Sequence, residues 1–275
     1  MSDRITRCRP LLGTFVEVTA DSDPAIEAAF QAIARVHDLM SAHAPDSDVS
    51  RINRFAHEHP IEVDPQTATV LERALHWSKQ SAGAFDVVAA GAAAIRSGQL
   101  PLHPGQPKPR AAHWSWVEVC DLTVGFLRPG CMDLGGIAKG YAVDRAVAAM
   151  KALGALSGLV NAGGDMAGFG PRSWPAQVVQ PESRRAIANV GVSNGAIATS
   201  SLQPDGSAGH LVGRAAGLVS ATVCAPSAMD ADALTKIVLS GSPAAGTCLK
   251  QAGAQAFVLT AEGAIRAIEP ELEAA

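Results

Sequence analysis

The amino-acid sequence predicts an α+β fold built mainly on antiparallel sheet. Its strand-like segments come in clusters rather than in strict alternation with helices, which argues against a doubly wound parallel sheet. Of the 275 residues, 48% are hydrophobic and 17% are charged, so the chain can bury a sizeable core. We therefore expect a single domain over residues 1–275, within which two subdomains can flank a cleft.

In the first half of the chain, apolar spacing and cap signals predict one strand and two helices. Residues 12–19 are rich in β-branched and apolar side chains, which indicates a strand, and apolar residues at helical spacing follow over residues 24–40. Asp64, followed by proline, marks a helix start, and Gly83 marks its end. Proline and glycine crowd residues 97–113, which predicts a surface loop.

Short strands dominate the second half of the chain. After a strand predicted over residues 117–124, a glycine pair leads into a helix that stops at Gly154. Two more helices are predicted, over residues 229–239 and from Ser242 to Gly253. The remaining predicted strands cover residues 158–161, 176–179, 186–192, 218–224 and 257–259, the last being the final strand of the chain.

Charge and cysteine content exclude several classes of protein. The chain has 22 Lys and Arg against 26 Asp and Glu, a formal charge of −4, and no basic cluster that would bind nucleic acid. Its apolar stretches are shorter than the roughly 18 residues of a membrane helix, and the N-terminus lacks the apolar core of a signal peptide. Five cysteines without a C-x-x-C pair are typical of reduced thiols. We expect a cytoplasmic protein with no nucleic-acid partner and no membrane segment.

Two clusters combine an acid with a glycine pair, namely D-L-G-G at 133–136 and N-A-G-G-D at 161–165. Glycine lets backbone approach a ligand closely, and free N–H groups at a helix start favour an anion such as phosphate. Tight turns at strand ends are the alternative interpretation of each pair. Neither cluster completes a dinucleotide fingerprint or a P-loop, so those two sites are not supported.

Two further features are ambiguous when taken alone. Asp230 and Asp232 lie at the start of a predicted helix, where they either complement the helix dipole or bind magnesium beside a phosphate. His210 is one of eight histidines, and its residue type alone is compatible with a surface position or with catalysis.

Taken in order, these segments resemble the ApbE family, the FAD:protein FMN transferases. The motifs that carry the resemblance are L-G-T at 12–14, D-S-D-V-S-R-I-N at 46–53, G-A-F-D at 83–86, D-L-G-G-I-A-K-G-Y-A-V-D at 133–144, V-N-A-G-G-D at 160–165, I-A-T-S at 197–200 and A-D-A-L at 231–234. The resemblance implies a T-fold-like α+β architecture with an FAD cleft. It also implies transfer of the FMN half of FAD to a threonine hydroxyl of an acceptor flavoprotein, with release of AMP.

The resemblance assigns roles to individual residues. His210 matches the histidine near the transferred group, and we expect it to act as general base. Asp232 and Lys236 complete the predicted catalytic group, although Lys236 itself departs from the family. Magnesium would be held by the Gly136 carbonyl and the Asp232 carboxylate, with Thr235 as a further candidate ligand. The implied FAD contacts are Met40, Ala84, Phe85, Asp86, Asp133 and Lys139. Hydrolysis of FAD to FMN and AMP, or FAD binding without chemistry, are the alternative functions.

The sequence departs from the family at one expected metal ligand. Four residues after Asp232 the family usually has threonine, whereas this chain has Lys236, which cannot ligate a metal and faces Asp232 on the same side of the helix. Thr235 lies about 100° around the helix from Lys236 and would substitute only if the helix is rotated or shifted. Three interpretations stay open: Lys236 replaces the cation, the metal binds through Asp232, Gly136 and water, or the chain binds FAD without transferring it.

Overall fold

Seven helices and thirteen strands make up the described part of the chain. The computed structural model describes residues 4–109, 112–181, 183, 185–202, 213 and 215–268. In chain order its elements are β1 (Ile5–Leu11), β2 (Thr14–Ala20), α1 (Asp23–Met40), α2 (Asp48–Phe55), β3 (Ile61–Glu62), α3 (Pro65–Gln80), α4 (Val87–Arg96), β4 (Val117–Cys120), β5 (Thr123–Phe126), α5 (Ala138–Ala152), β6 (Gly158–Ala162), β7 (Asp165–Phe169), β8 (Trp174–Val179), β9 (Ala186–Val192), β10 (Gly195–Ser201), β11 (Leu218–Ala225), α6 (Ala228–Leu239), α7 (Ala245–Ala252), β12 (Gln255–Thr260) and β13 (Ile265–Ile268).

An eight-stranded sheet in the order β1-β2-β6-β7-β10-β11-β12-β13 forms the centre of the fold. Every neighbouring pair of its strands is antiparallel. Helices α1, α5 and α6 pack on one face of this sheet. The β8–β9 hairpin packs on the other face, where Trp174 and Ala176 cluster with Ile197 of β10. The predicted α+β fold with mainly antiparallel sheet is confirmed.

A smaller sheet, β3-β5-β4, and helices α2, α3 and α4 form the rest of the molecule. One contiguous apolar core joins both parts, from Phe30 on α1 to Leu71 on α3 and Leu234 on α6. Asp230 ties α3 to α6, because its carboxylate accepts bonds from Arg73 and, at 2.8 Å, from the indole N–H of buried Trp77. Asp230 therefore serves the packing of the two parts.

Helices α1 and α3 lie where the sequence predicts them. On α1, Ile26, Phe30 and Ile33 are buried at helical spacing. The Asp64 side chain accepts the Gln66 N–H at 2.9 Å and so caps α3. Among the described helices, none has both the length and the apolar character needed to cross a bilayer.

Several element predictions were incomplete or wrong. The single strand predicted over residues 117–124 is the hairpin β4–β5, because Asp121 takes a left-handed conformation with φ of 51° and reverses the chain. Loop 97–113 contains no strand in its described residues, but Leu100 and Gln106 are buried, so it is not wholly a surface loop. Elements that the sequence did not predict are β1, α2, β3, α4, β7, β10 and the true last strand, β13.

Candidate active site

A cleft of about 850 Å³ opens beside the end of α1, the β1–β2 turn and the start of α5. Three of the implied FAD contacts line it: Met40, Asp133 and Lys139. Gln99 and Leu100, from the loop after α4, line it as well. Its size and its largely apolar wall are typical of a site for a small organic molecule.

The segment that enters this cleft, residues 132–136, is held by backbone contacts on both sides. The Asn53 amide on α2 donates to the Met132 carbonyl at 2.9 Å and accepts the Met132 N–H at 2.8 Å. On the α4 side, the Asp133 N–H donates to the Val87 carbonyl at 2.9 Å. Gly91 of α4 permits this approach, because a Cβ there would lie 2.6 Å from the Cys131 carbonyl oxygen. The segment therefore meets the cleft in a fixed position.

The first turn of α5 presents a positive helix end to the cleft. Its N-cap residue, Ile137, offers no capping side chain, and no acidic residue lies in the first turn. Ala138 and Lys139, at the start of this helix, line the cleft. The Ala138 N–H donates to the Leu134 carbonyl and the Gly140 N–H donates to Asp232. This end of the helix therefore attracts an anion through its dipole and through the Lys139 ammonium.

Helices α5 and α6 meet closely at Gly140. A Cβ at this position would lie 2.1 Å from the Ala228 carbonyl oxygen, so only glycine fits without displacing α6. The contact lets the Gly140 N–H donate to Asp232 Oδ2 at 3.1 Å. The K-G-Y sequence at 139–141 thus brings Asp232 to the start of α5.

Asp144, one turn further along α5, fixes the N-terminus of α6. Its carboxylate accepts the Ser227 hydroxyl at 2.9 Å and the N–H groups of Ala228 and Met229 at 2.8 and 2.9 Å. A carboxylate at a helix start satisfies free N–H groups and complements the dipole. Asp144 is therefore a positioning residue for the helix that carries Asp232 and Lys236.

Four charged side chains meet where these elements converge, and we call Lys139, Asp165, Asp232 and Lys236 the charge quartet. The Lys139 ammonium pairs with Asp165 and lies 3.9 Å from Asp232 Oδ1. The Lys236 ammonium pairs with the same Asp232 Oδ1. Asp232 is fully buried and Lys236 is 5% exposed, whereas Lys139 also reaches the cleft wall. The quartet thus lies directly behind the cleft.

Burial and the two ammonium groups set the acid strengths within the quartet. Burial alone would raise the pKa of the Asp232 carboxyl, but Lys139, Lys236 and the Gly140 N–H outweigh it and hold that pKa at about 2. Burial and the neighbouring Asp232 carboxylate raise the pKa of Asp165 to about 6, against the opposing effect of Lys139. Burial would lower the pKa of Lys139, but Asp165 and Asp232 raise it above its ordinary value. Both lysines therefore face carboxylates at neutral pH.

Two of the three residues expected to bind a metal ion, Asp232 and Thr235, have other partners in the structure. Lys236 Nζ occupies Asp232 Oδ1 and also donates to the Asp232 carbonyl at 3.0 Å. The Thr235 hydroxyl donates to that carbonyl at 2.6 Å and bonds Ser200 at 2.7 Å. Gly136 is buried in the turn before α5. Within the described ranges, no three His, Cys, Asp or Glu side chains come together around a point where a metal ion could sit.

Other implied site residues lie apart from the cleft wall or outside the described residues. The Asp86 carboxylate caps α4 through the N–H groups of Val88 and Ala89 and accepts the Trp114 N–H. Phe85 is buried in the core, and Ala84 precedes it. His210 lies outside the residues that the structure describes.

Asp165 and Asp144 are site residues that the sequence analysis did not single out. Each ends a glycine-containing motif, V-N-A-G-G-D or D-L-G-G-I-A-K-G-Y-A-V-D, and this was the available signal. Their partners are 26 residues away for Asp165 and 83 to 85 residues away for Asp144. Pairings at such separations depend on the packing of α5 against β7 and α6.

Comparison with known proteins assigns the sequence to a family. The sequence profile of the ApbE family matches residues 12–259. The chain is 27% identical over 251 residues to an FAD:protein FMN transferase of Haemophilus influenzae, covering 79% of this chain and 72% of that protein. It is also 27% identical over 211 residues to an FAD:protein FMN transferase of Treponema pallidum, covering 68% of this chain and 57% of that protein.

Solved structures of ApbE proteins share the fold of this chain. The ApbE protein of Thermotoga maritima superposes with a TM-score of 0.83 at 25% identity, covering 97% of each chain. The flavin transferase ApbE of Vibrio cholerae superposes with a TM-score of 0.80 at 20% identity, covering 98% of this chain and 97% of that one. The architecture implied by the sequence motifs is thereby confirmed. A profile match from residue 12 to residue 259 and a shared fold establish that this chain belongs to the ApbE family.

Proposed function

We propose that this chain is an FAD:protein FMN transferase, which moves the FMN half of FAD to a threonine hydroxyl of an acceptor flavoprotein and releases AMP. Its relatives carry that name. The observation that carries the proposal is the position of Lys139, which lines the cleft and joins the charge quartet behind it. An ammonium at the wall of a cleft of this size is suited to the pyrophosphate of a dinucleotide.

The cleft offers complementary surfaces for the parts of FAD. The apolar wall formed by Met40 and Leu100 suits an aromatic ring, and the α5 N-terminus with Lys139 suits the pyrophosphate. Asp133 is proposed as a further FAD contact. Ala84, Phe85 and Asp86 are proposed to act from behind the cleft wall, since the Asp86 cap fixes α4 against the segment of residues 132–136.

The proposed reaction exchanges one phosphorus–oxygen bond for another. The threonine oxygen attacks the FMN phosphorus, and the bond from that phosphorus to the bridging oxygen breaks. AMP leaves with the bridging oxygen, and the threonine proton passes to a general base, a role that the proposal gives to His210. Alignment and electrostatic stabilisation supply most of the catalysis in such phosphoryl transfers.

We also propose that the reaction takes place in the cytoplasm. All five cysteines are free thiols. Disulfides are rare in the reducing cytosol and common in oxidising compartments, so unpaired cysteines support this location.

Magnesium is not part of the proposal for the wild-type chain. Asp232 Oδ1 is occupied by an ammonium, Asp232 Oδ2 accepts a backbone N–H, and the Thr235 hydroxyl faces Ser200. A site for Mg²⁺ needs free oxygen ligands. The donor set present here therefore does not fit the metal.

The test incubates the purified chain with FAD and a flavoprotein domain that bears an acceptor threonine, with an acceptor in which that threonine is alanine as control. The expected result is a fluorescent acceptor band on a denaturing gel, together with one AMP released for each flavin attached to the acceptor. Release of AMP and FMN without covalent flavin would show that the chain hydrolyses FAD instead of transferring FMN. Bound FAD with neither product would show that the chain binds FAD without chemistry.

A further inference from the structure

The i,i+4 pair of Lys236 and Asp232 places an ammonium where relatives are expected to bind a divalent cation. The pair lies entirely within α6, and both side chains are buried. Two of the three ammonium protons go to Asp232, one to Oδ1 and one to the carbonyl. Within the described ranges, no further acceptor engages the third.

Lys236 changes what the neighbouring lysine can do. Without it, Lys139 would be the sole cation beside two buried carboxylates, Asp165 and Asp232. With it, Asp232 has an ammonium partner inside the protein, and Lys139, whose ammonium lies 3.9 Å from Asp232 Oδ1, pairs with Asp165 and reaches the cleft. In the low-dielectric interior of a protein, opposite charges a few ångströms apart attract each other strongly.

Building on the proposed FMN transfer, we propose that the Lys236 ammonium is the resident cation of this site and takes the place of a divalent metal ion. Lysine serves as a point-charge partner of phosphate elsewhere, which makes the substitution chemically sound. The charge is supplied by the chain itself, so FMN transfer does not depend on added Mg²⁺. Lys236 acts through Asp232 and Lys139 and is a positioning residue.

The first measurement uses Mn²⁺ as a paramagnetic probe of the metal site, with chelator-treated protein and saturating FAD. We expect wild-type protein to bind no more Mn²⁺ than the same concentration of free FAD binds. Lys236→Thr restores an oxygen ligand and frees Asp232, and we expect it to bind one further equivalent. One equivalent bound by wild type and lost in Asp232→Asn would overturn the proposal.

The second measurement compares FMN transfer in EDTA with transfer in Mg²⁺. Wild-type rates are expected to agree within about twofold, whereas Lys236→Thr is expected to lose about 100-fold in EDTA and to recover in Mg²⁺. Lys236→Met, which supplies neither charge nor ligand, should stay slow in both. Lys79→Thr, at an exposed lysine on α3, is the matched control and should follow wild type.

The two readouts separate the possible failures. A wild-type rate abolished by EDTA and restored by Mg²⁺ would contradict the role of Lys236, and this comparison needs no variant that folds. If FAD binds but no flavin is transferred under any condition, the proposed function fails, and the Mn²⁺ titration still decides between ammonium and metal.

Discussion

Replacing Gly140 by alanine tests how closely the two helices of the site approach each other. The added Cβ would lie 2.1 Å from the Ala228 carbonyl oxygen and 2.9 Å from the Cβ of Asp232. Since ordinary C···O contacts are about 3.3 Å or longer, α6 must move away by about 1 Å. That movement would also lengthen the 3.1 Å bond from the Gly140 N–H to Asp232.

Two effects of opposite sign make this substitution informative. Alanine in place of glycine inside a helix stabilises it by about 1 kcal/mol. Forcing a methyl group into a packed contact costs about 1–3 kcal/mol or more, and a clash with backbone rather than a flexible side chain belongs at the upper end. We expect a net loss of about 1–2 kcal/mol, which lowers Tm by about 2–8 °C in a protein of this size.

Thermal unfolding followed by circular dichroism measures the effect, with Gly125→Ala as control. Gly125 lies on β5, and a Cβ there would meet nothing within 4 Å. The free energy of unfolding of Gly125→Ala should therefore stay within about 0.5 kcal/mol of wild type, as for surface substitutions, with little change in Tm. A Tm for Gly140→Ala equal to or above wild type would show that the helix gain outweighs the clash. The close crossing of α5 and α6 would then be refuted.

Three further substitutions or measurements probe the cleft, the chemistry and the core. Asn53→Ala leaves two buried backbone groups of residue 132 unpaired, and we expect a loss of about 2–4 kcal/mol in urea unfolding together with weaker FAD binding by fluorescence titration. His210→Ala should slow FMN transfer by about 100-fold or more while the FAD dissociation constant stays unchanged, and an unchanged rate would remove His210 from the mechanism. Burial raises the pKa of Cys131 to about 12, so iodoacetamide at pH 8 should alkylate exposed Cys8 and Cys120 and reach Cys131 only after unfolding, as mass spectrometry would show.

Local signals in the sequence predicted the elements that local interactions stabilise. The Asp64 cap with the following proline located the start of α3, and glycine with φ of 80° at position 154 follows the end of α5. The same kind of signal was available for α4, where Asp86 caps an alanine-rich segment, and was not used. The prediction of one strand over residues 117–124 was wrong because a non-glycine residue makes the turn at Asp121.

Strand β10 was not predicted because both of its partners, β7 and β11, are distant in the chain, whereas β7 follows β6 across the two-residue turn of Gly163 and Gly164. β7 is five residues long and contains glycine, and it pairs with β6 and β10 on its two sides. Distance along the chain also explains why the role of Asp165 was not predicted, since nothing in the N-A-G-G-D motif shows that its acid pairs with Lys139. The motif predicted that a ligand site was nearby, whereas the ion pair depends on sheet register.

The charge balance of the quartet connects its stability with its chemistry. Lys139 and Lys236 carry two positive charges and Asp165 and Asp232 two negative ones, so the quartet is neutral when all four are ionised. Burying charges is tolerable only when they are paired, which explains why each lysine faces a carboxylate. A divalent cation added to this set would leave two positive charges without protein ligands to compensate them. Removing Lys236 alone would instead leave an anionic group of three behind the proposed pyrophosphate position. Only the Lys236→Thr variant with a bound divalent cation combines free ligands with a net positive charge, and for this reason metal dependence should be created by that substitution rather than abolished by it.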